Sequence, residues 1–212
     1  MHTVYTYVLD TLADWELGYV MAELNSRRFF KKDAPHLPIK KVGYSKEPIS
    51  TMGGVTITPD CLVDDVVVDK TSVLLLPGAN TWNDPNHAAI IEKAGELLSS
   101  GASVGAICGA TVALANFGLL DAHAHTSNGP GFLEMASPDY KGTRYYRDEP
   151  SVADAGLITA SSTGALPWTK HIIERLGVFR SDTLESWYEY FSTGKPEHFF
   201  ALMQTLQSDD EH

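Results

Sequence analysis

The chain has 212 residues, 43% hydrophobic and 20% charged, an ordinary balance for a protein large enough to bury a sizeable core. Its 16 basic and 27 acidic side chains leave a formal charge of −11, which repels phosphate backbones and anionic lipid, so nucleic acid is not an expected partner. The first apolar stretch, Thr3–Leu9, is too short and too polar for a signal peptide or a membrane span, and two cysteines, Cys61 and Cys108, are too few for a disulfide framework or a structural zinc site. A cytoplasmic protein with free thiols and no membrane partner is expected.

In chain order, Val4–Leu9 reads as a strand, and Trp15–Phe30 as a helix with Leu17, Val20, Met21 and Leu24 at helical spacing. An extended stretch at Ile39–Tyr44 precedes a hairpin across Ile49–Ile57 that turns at Met52-Gly53-Gly54, and Thr58-Pro59-Asp60 opens a short helix. Ser72–Leu76 is a continuous apolar run closed by Pro77-Gly78, the pattern of a central parallel strand covered on both faces. A helix over Asn86–Ser99, a strand over Ala102–Ile107 and a helix over Gly109–Phe117 follow. Next come a short strand near Ala124–Ser127, a helix from Pro130, a hairpin over Arg144–Ala153, a strand at Leu157–Ala160 and a helix over Ala165–Leu176. Two amphipathic helices, Asp182–Phe191 and Glu197–Leu206, close the chain, with Trp187, Tyr190, Phe199, Phe200 and Met203 as apolar positions for packing on the core or on a second subunit. The alternation predicts an α/β fold with a mostly parallel sheet. No linker or repeat divides the chain, so 1–212 reads as one domain, with a core over 1–178 and a helical extension over 179–212.

The chemistry concentrates in Val104-Gly-Ala-Ile-Cys-Gly-Ala-Thr-Val-Ala113, where small residues flank a cysteine at the point where a buried strand must turn at once into a helix. This is the setting of a nucleophile elbow. Free N–H groups at the helix start and its dipole are expected to lower the Cys108 thiol below the roughly 8.5 of a free cysteine. The competing reading is a buried apolar filler, a common fate for unpaired cysteine and the default for Cys61.

These residues, with Leu74-Leu-Leu-Pro-Gly-Ala79 and Trp82, Gly118-Leu-Leu-Asp121, and Ile158-Thr-Ala-Ser161 with Gly164, resemble the ThiJ/PfpI superfamily, related to class I glutamine amidotransferases and to the parkinsonism-associated deglycase. The resemblance spans nearly the whole chain. It implies a flavodoxin-like three-layer sandwich, a homodimer, and a cysteine attended by a glutamic acid from the first β-to-α connection. Glu16 matches that acid by position. Buried beside a thiolate, its carboxyl would be held protonated by desolvation and by the neighbouring charge, whereas a solvated acid in a first helical turn is the bland alternative. Asp10 and Asp14 read as a turn residue and a helix cap.

Backbone N–H groups of Gly78 and Ala79 face the same sheet edge and are candidates for an oxyanion hole, though related sequences carry a second glycine where Ala79 stands. Asn80 and Trp82 line the pocket mouth or, for Trp82, simply pack. Members with protease activity carry a histidine directly after the cysteine, and this chain has Gly109 there. In other members a histidine about twenty residues on approaches the sulfur; that register gives Asn128, which can orient or donate but takes no proton at neutral pH. His123 and His125 are nearby, and a bulge could bring His125 to Cys108 as a general base; edge-strand placement of both is the alternative, and two histidines without a third ligand make no metal site. Ser161, Ser162 and Thr163 either cap the following helix or bound an anion-attracting terminus of the same pocket. Glu197-His198 lies too far toward the end to serve a glutaminase triad.

Two functions follow as expectations, neither needing an organic cofactor or metal. One is an enzyme in which Cys108 and Glu16 act on a small electrophilic carbonyl; the resemblance implies methylglyoxal or a glycated amine as the substrate class. The other is a redox or stress sensor in which an oxidant converts Cys108 to sulfinate without turnover. A transcription regulator would need an appended DNA-binding domain for which the C-terminal segment leaves no room.

Overall fold

The computed structural model describes residues 2–207. Strands β1 (Thr3–Tyr7), β2 (Ile39–Gly43), β5 (Cys61–Leu62), β6 (Ser72–Leu76), β7 (Ser103–Ile107), β8 (Ser151–Asp154) and β9 (Leu157–Ala160) form a sheet in the order β5-β2-β1-β6-β7-β9-β8. All its pairings are parallel except β8 with β9. Strands β3 (Ile49–Ser50) and β4 (Thr56–Ile57) make a separate antiparallel hairpin. Helices α1 (Asp14–Ser26), α2 (Ala88–Ser99), α3 (Gly109–Asn116), α4 (Phe132–Ala136), α5 (Ala165–Leu176), α6 (Ser181–Thr193) and α7 (Pro196–Gln207) complete the α/β architecture.

Every residue of β6 and β7 is buried, as the unbroken apolar runs require when helices cover both faces of a parallel sheet. Parallel strands align their C-terminal ends on one edge, so the connections after β1, β6 and β7 open together there. That places α1, the Pro77–Asn80 turn and Cys108 side by side.

Gly105 serves the core beneath this edge rather than the turn itself. A Cβ there would lie 2.9 Å from Trp168 Cζ2 and 3.1 Å from Leu75 Cδ2, and Trp168 is fully buried with its indole N–H on the Ile158 carbonyl at 3.2 Å. Gly105→Ala is expected to lower stability by about 1–3 kcal/mol through overpacking, read as a reduced urea midpoint with unchanged slope.

Helix α6 folds back onto α1, and α7 packs on α6. Trp187 of α6 is buried among Tyr19, Phe179 and Phe191, and its indole N–H donates at 3.0 Å to Glu23, a buried carboxylate of α1 that Arg28 also grips. Phe200 remains largely exposed. No helix among the described residues is long and apolar enough to cross a membrane.

Four local expectations are corrected. Pro59-Asp60 opens no helix: Asp60 accepts from the backbone N–H and the ammonium of Lys41, drawing the chain into β5 beside β2, and a short 3₁₀ turn follows at Val63–Asp65. Ala124–Ser127 forms no strand, only a single bridge between His125 and Tyr146. The second hairpin is β8–β9, turning at Ala155-Gly156, because Arg144 belongs to a 3₁₀ turn and Pro150 lies directly before the pairing begins. Asp14 does not cap α1, whose N-cap is Ala13; its carboxylate accepts from the Thr51 hydroxyl at 2.6 Å and the Gly53 N–H at 2.7 Å, tying the helix to the β3–β4 hairpin.

Candidate active site

Cys108 occupies the one-residue junction between β7 and α3 with φ 57° and ψ −124°, a conformation that costs an ordinary residue about 1–3 kcal/mol. Its neighbours hold it there. The Cys108 N–H donates to the Ala160 carbonyl at 3.0 Å, and the Thr111 hydroxyl, itself paired with Ser127 at 2.6 Å, lies 2.6 Å from the Cys108 carbonyl. The side chain is half-buried and the cysteine unpaired.

Glu16, in the first turn of α1, is fully buried. Its Oε2 accepts from the Gly78 N–H at 2.5 Å, Oε1 has no hydrogen-bond partner among the described residues, and the carboxyl lies beside Cys108. Burial raises its pKa from 4.5 to about 7, against the lowering effect of the Gly78 N–H and of the neighbouring Cys108 thiol. The geometry demands glycine at 78 for close approach: a Cβ would sit 2.8 Å from both Glu16 oxygens and from Cys108 Cβ. Neither Gly78 nor Ala79 has positive φ, so alanine at 79 imposes no backbone strain. The Gly78 N–H is engaged by Glu16 and so is not free for a substrate oxygen, while the Gly109 N–H acts on the sulfur itself.

The thiol differs from expectation in direction. Burial pushes the Cys108 pKa up and the Glu16 charge adds to the rise; Asn128 and the Gly109 N–H oppose it without reversing it. The resting pair is therefore a protonated thiol beside a carboxyl that titrates near neutrality.

Asn128 donates its amide Nδ2–H to Cys108 Sγ at 3.3 Å, and its Oδ1 accepts the Ser162 N–H at 2.8 Å. His125 is buried elsewhere in the same segment. Its Nδ1 meets the His123 carbonyl at 2.6 Å and its Nε2 the Tyr140 hydroxyl at 2.5 Å, so both ring nitrogens are engaged and neither is directed at the sulfur. Burial also pushes its pKa down, leaving a neutral ring. His123 pairs with Asp154 at 3.7 Å, and His198 of α7 lies 4.0 Å from Glu189.

Gly109 is tightly fitted, since a Cβ would lie 3.1 Å from the Ala79 carbonyl oxygen and the turn would have to give by a few tenths of an ångström. Trp82 donates its indole N–H to the Pro77 carbonyl at 2.9 Å and packs on Tyr7 and His87, bracing the turn before Ala79. Asn80 is exposed, its backbone N–H on the Thr11 hydroxyl at 2.9 Å. Gly164, not the serines before it, caps α5; Ser161 and Thr163 hydroxyls pair with each other at 3.2 Å. Cys61 sits in edge strand β5, buried, with its thiol pushed up by desolvation. Among the described residues no cluster of three or more His, Cys, Asp or Glu is arranged to hold a metal ion.

Sequence reading missed Trp15. Its indole N–H reaches 3.1 Å to the Ser162 carbonyl, 147 residues away, a contact with no local signature.

Comparison with known proteins matches residues 2–175 to the DJ-1/PfpI family. The chain is similar to the uncharacterized protease YoaZ of Bacillus subtilis, 45% identical over 203 residues that cover 96% of this chain and 97% of the relative. It is similar also to the crystal structure of a ThiJ/PfpI family protein from Bacillus anthracis, with 46% identity, a TM-score of 0.93 and coverage of 96% and 97% of the two chains. A DJ-1 superfamily protein from Agrobacterium tumefaciens superposes with a TM-score of 0.78 at 27% identity, covering 92% of this chain and 99% of that one. With its parallel sheet, strained cysteine junction and added C-terminal helices, the chain belongs to the DJ-1/PfpI family.

Proposed function

We propose that the chain is a cysteine-dependent enzyme acting on small reactive carbonyl compounds, with Cys108 as nucleophile and Glu16 as the group that carries the proton. The observation that supports this reading most is the buried Glu16 carboxyl, titrating near 7 beside a protonated thiol. A general base works best when its pKa lies near the operating pH.

In the proposed reaction with an α-oxoaldehyde, ionised Glu16 accepts the thiol proton as Sγ adds to the aldehyde carbon. The C–S bond forms, the carbonyl π bond opens, and the proton passes to the new alkoxide, giving a hemithioacetal. In this reading the backbone N–H groups of Ala79 and Gly109 are assigned to support the developing negative oxygen. Glu16 then moves the C1 hydrogen, as a proton, to C2 through an enediol while the C1 hydroxyl proton passes to the C2 oxygen, leaving a thioester and a C2 hydroxyl. Water cleaves the thioester to the 2-hydroxy acid and regenerates the thiol. The net change is addition of one water, without any outside oxidant or reductant.

Two other readings are weaker on this site. A peroxide sensor would draw on the same sulfur, and the burial that pushes the Cys108 pKa up works against the thiolate it uses. Amide hydrolysis, which the printed name of the Bacillus subtilis relative suggests, needs an acid for the leaving amine; no imidazole ring among the described residues donates to or accepts from the sulfur, and Glu16 would have to serve alone.

Methylglyoxal consumption with lactate formation, measured beside intact mass after mild peroxide, tests the reading. Turnover that disappears in Cys108→Ser supports it. Absence of turnover together with a two-oxygen mass gain at Cys108 would replace it with the sensor.

A further inference from the structure

We propose that Trp15 is a positioning residue for Cys108, holding the Ser162 backbone so that the Asn128 amide keeps its NH2 group, and not its carbonyl oxygen, toward the sulfur. The proposal deepens the reading of Cys108 as a nucleophile and rests on it.

Three hydrogen bonds in series make the case. Trp15 Nε1–H donates to the Ser162 carbonyl at 3.1 Å, the Ser162 N–H donates to Asn128 Oδ1 at 2.8 Å, and Asn128 Nδ2–H donates to Cys108 Sγ at 3.3 Å. The two ends of a side-chain amide have nearly the same shape, so its orientation is decided by its partners alone. A backbone N–H accepts nothing, and therefore fixes Oδ1 on the Ser162 side and leaves the donors for the sulfur. Reversed, the amide would set oxygen lone pairs against the negative charge that develops on Sγ. The selection depends on where Ser162 is held, and its own side chain takes no part in either bond.

Trp15 supplies that hold from α1, across the site from the chain segment it grips. It is 55% exposed, so an apolar replacement empties no core. The next residue, Glu16, is fully buried and acts on the sulfur directly; consecutive helical side chains point roughly 100° apart, which sends one to each side of the site. One helical turn thus addresses the same sulfur twice, once directly and once through the Ser162 loop.

The test is the rate of Cys108 alkylation by iodoacetamide as a function of pH, followed by intact mass. Trp15→Phe is expected to slow it about three- to tenfold at neutral pH and move the profile up by about half to one pH unit, the consequence of a weakened bond to a charged acceptor. In an Asn128→Ala background Trp15→Phe should add nothing, whereas in Glu16→Gln the slowing should persist, because only the first shares its route to the sulfur. Trp15→Leu, which also lacks the indole N–H, should behave alike, and unchanged thermal melting shows that folding is intact. An unmoved profile, or equal slowing in the Asn128→Ala background, overturns the positioning role. A wild-type protein whose Cys108 resists alkylation overturns the nucleophile reading itself, and the proposal with it.

Discussion

Cys108→Ser is expected to lower kcat/KM for methylglyoxal by at least about 10³-fold while the protein stays folded. The hydroxyl is a far weaker acid than the thiol, so a carboxylate titrating near 7 cannot remove its proton at useful cost, and the smaller oxygen retreats from the Asn128 amide. Stability should change little. Serine keeps the Cβ and hence the φ 57° strain, and the bonds that enforce it, from Cys108 N–H to Ala160 and from Thr111 to the Cys108 carbonyl, run through backbone atoms of residue 108. Lactate formation and a far-UV spectrum read the two halves of the expectation. Activity within tenfold of wild type would remove Cys108 from the chemistry.

Glu16→Gln is expected to produce a protein that is more stable and much less active. Folding lifts the Glu16 pKa from 4.5 to about 7, so between those values the folded state binds more protons than the unfolded one and stability falls as pH rises. Below about 4.5 the carboxyl is neutral in both states and costs nothing; above 7 the full penalty of burying its charge, about 3 kcal/mol, is in place. Glutamine keeps an oxygen for the Gly78 N–H and never ionises. Its stability advantage should therefore be absent near pH 4.5, grow toward neutrality and level off above 7, as read from urea midpoints across pH. The same substitution removes the proton carrier, and kcat/KM should drop about 10²–10⁴-fold and lose its rise through pH 7. A constant stability difference across pH would show that Glu16 is not perturbed by burial.

Much of this organisation is legible in the residues. The apolar runs Ser72–Leu76 and Ala102–Ile107 announce buried parallel strands, and the small residues around Cys108 announce a sharp turn between strand and helix. The short elements are misread because their signals are local and their partners are not. Pro59-Asp60 has the chemistry of a helix start, yet Lys41 claims the aspartate for a strand edge. His125 looks available as a base until Tyr140 and the His123 carbonyl occupy both nitrogens. The direction of the Cys108 shift is hidden for the same reason. Helix-start donors are visible in sequence, but the burial that outweighs them is assembled from segments far apart in the chain. Trp15 reads as one more apolar residue in a first turn, since nothing local links it to Ser162.

The most direct test of the coupled pair is the pH profile of Cys108 alkylation in wild type and Glu16→Gln. Removing the Glu16 charge relieves the repulsion that opposes the thiolate, so the profile should move to lower pH and alkylation should quicken at neutrality, even as methylglyoxal turnover falls. Coincident profiles, or a Cys108 that no alkylating agent reaches in the folded protein, would contradict the account.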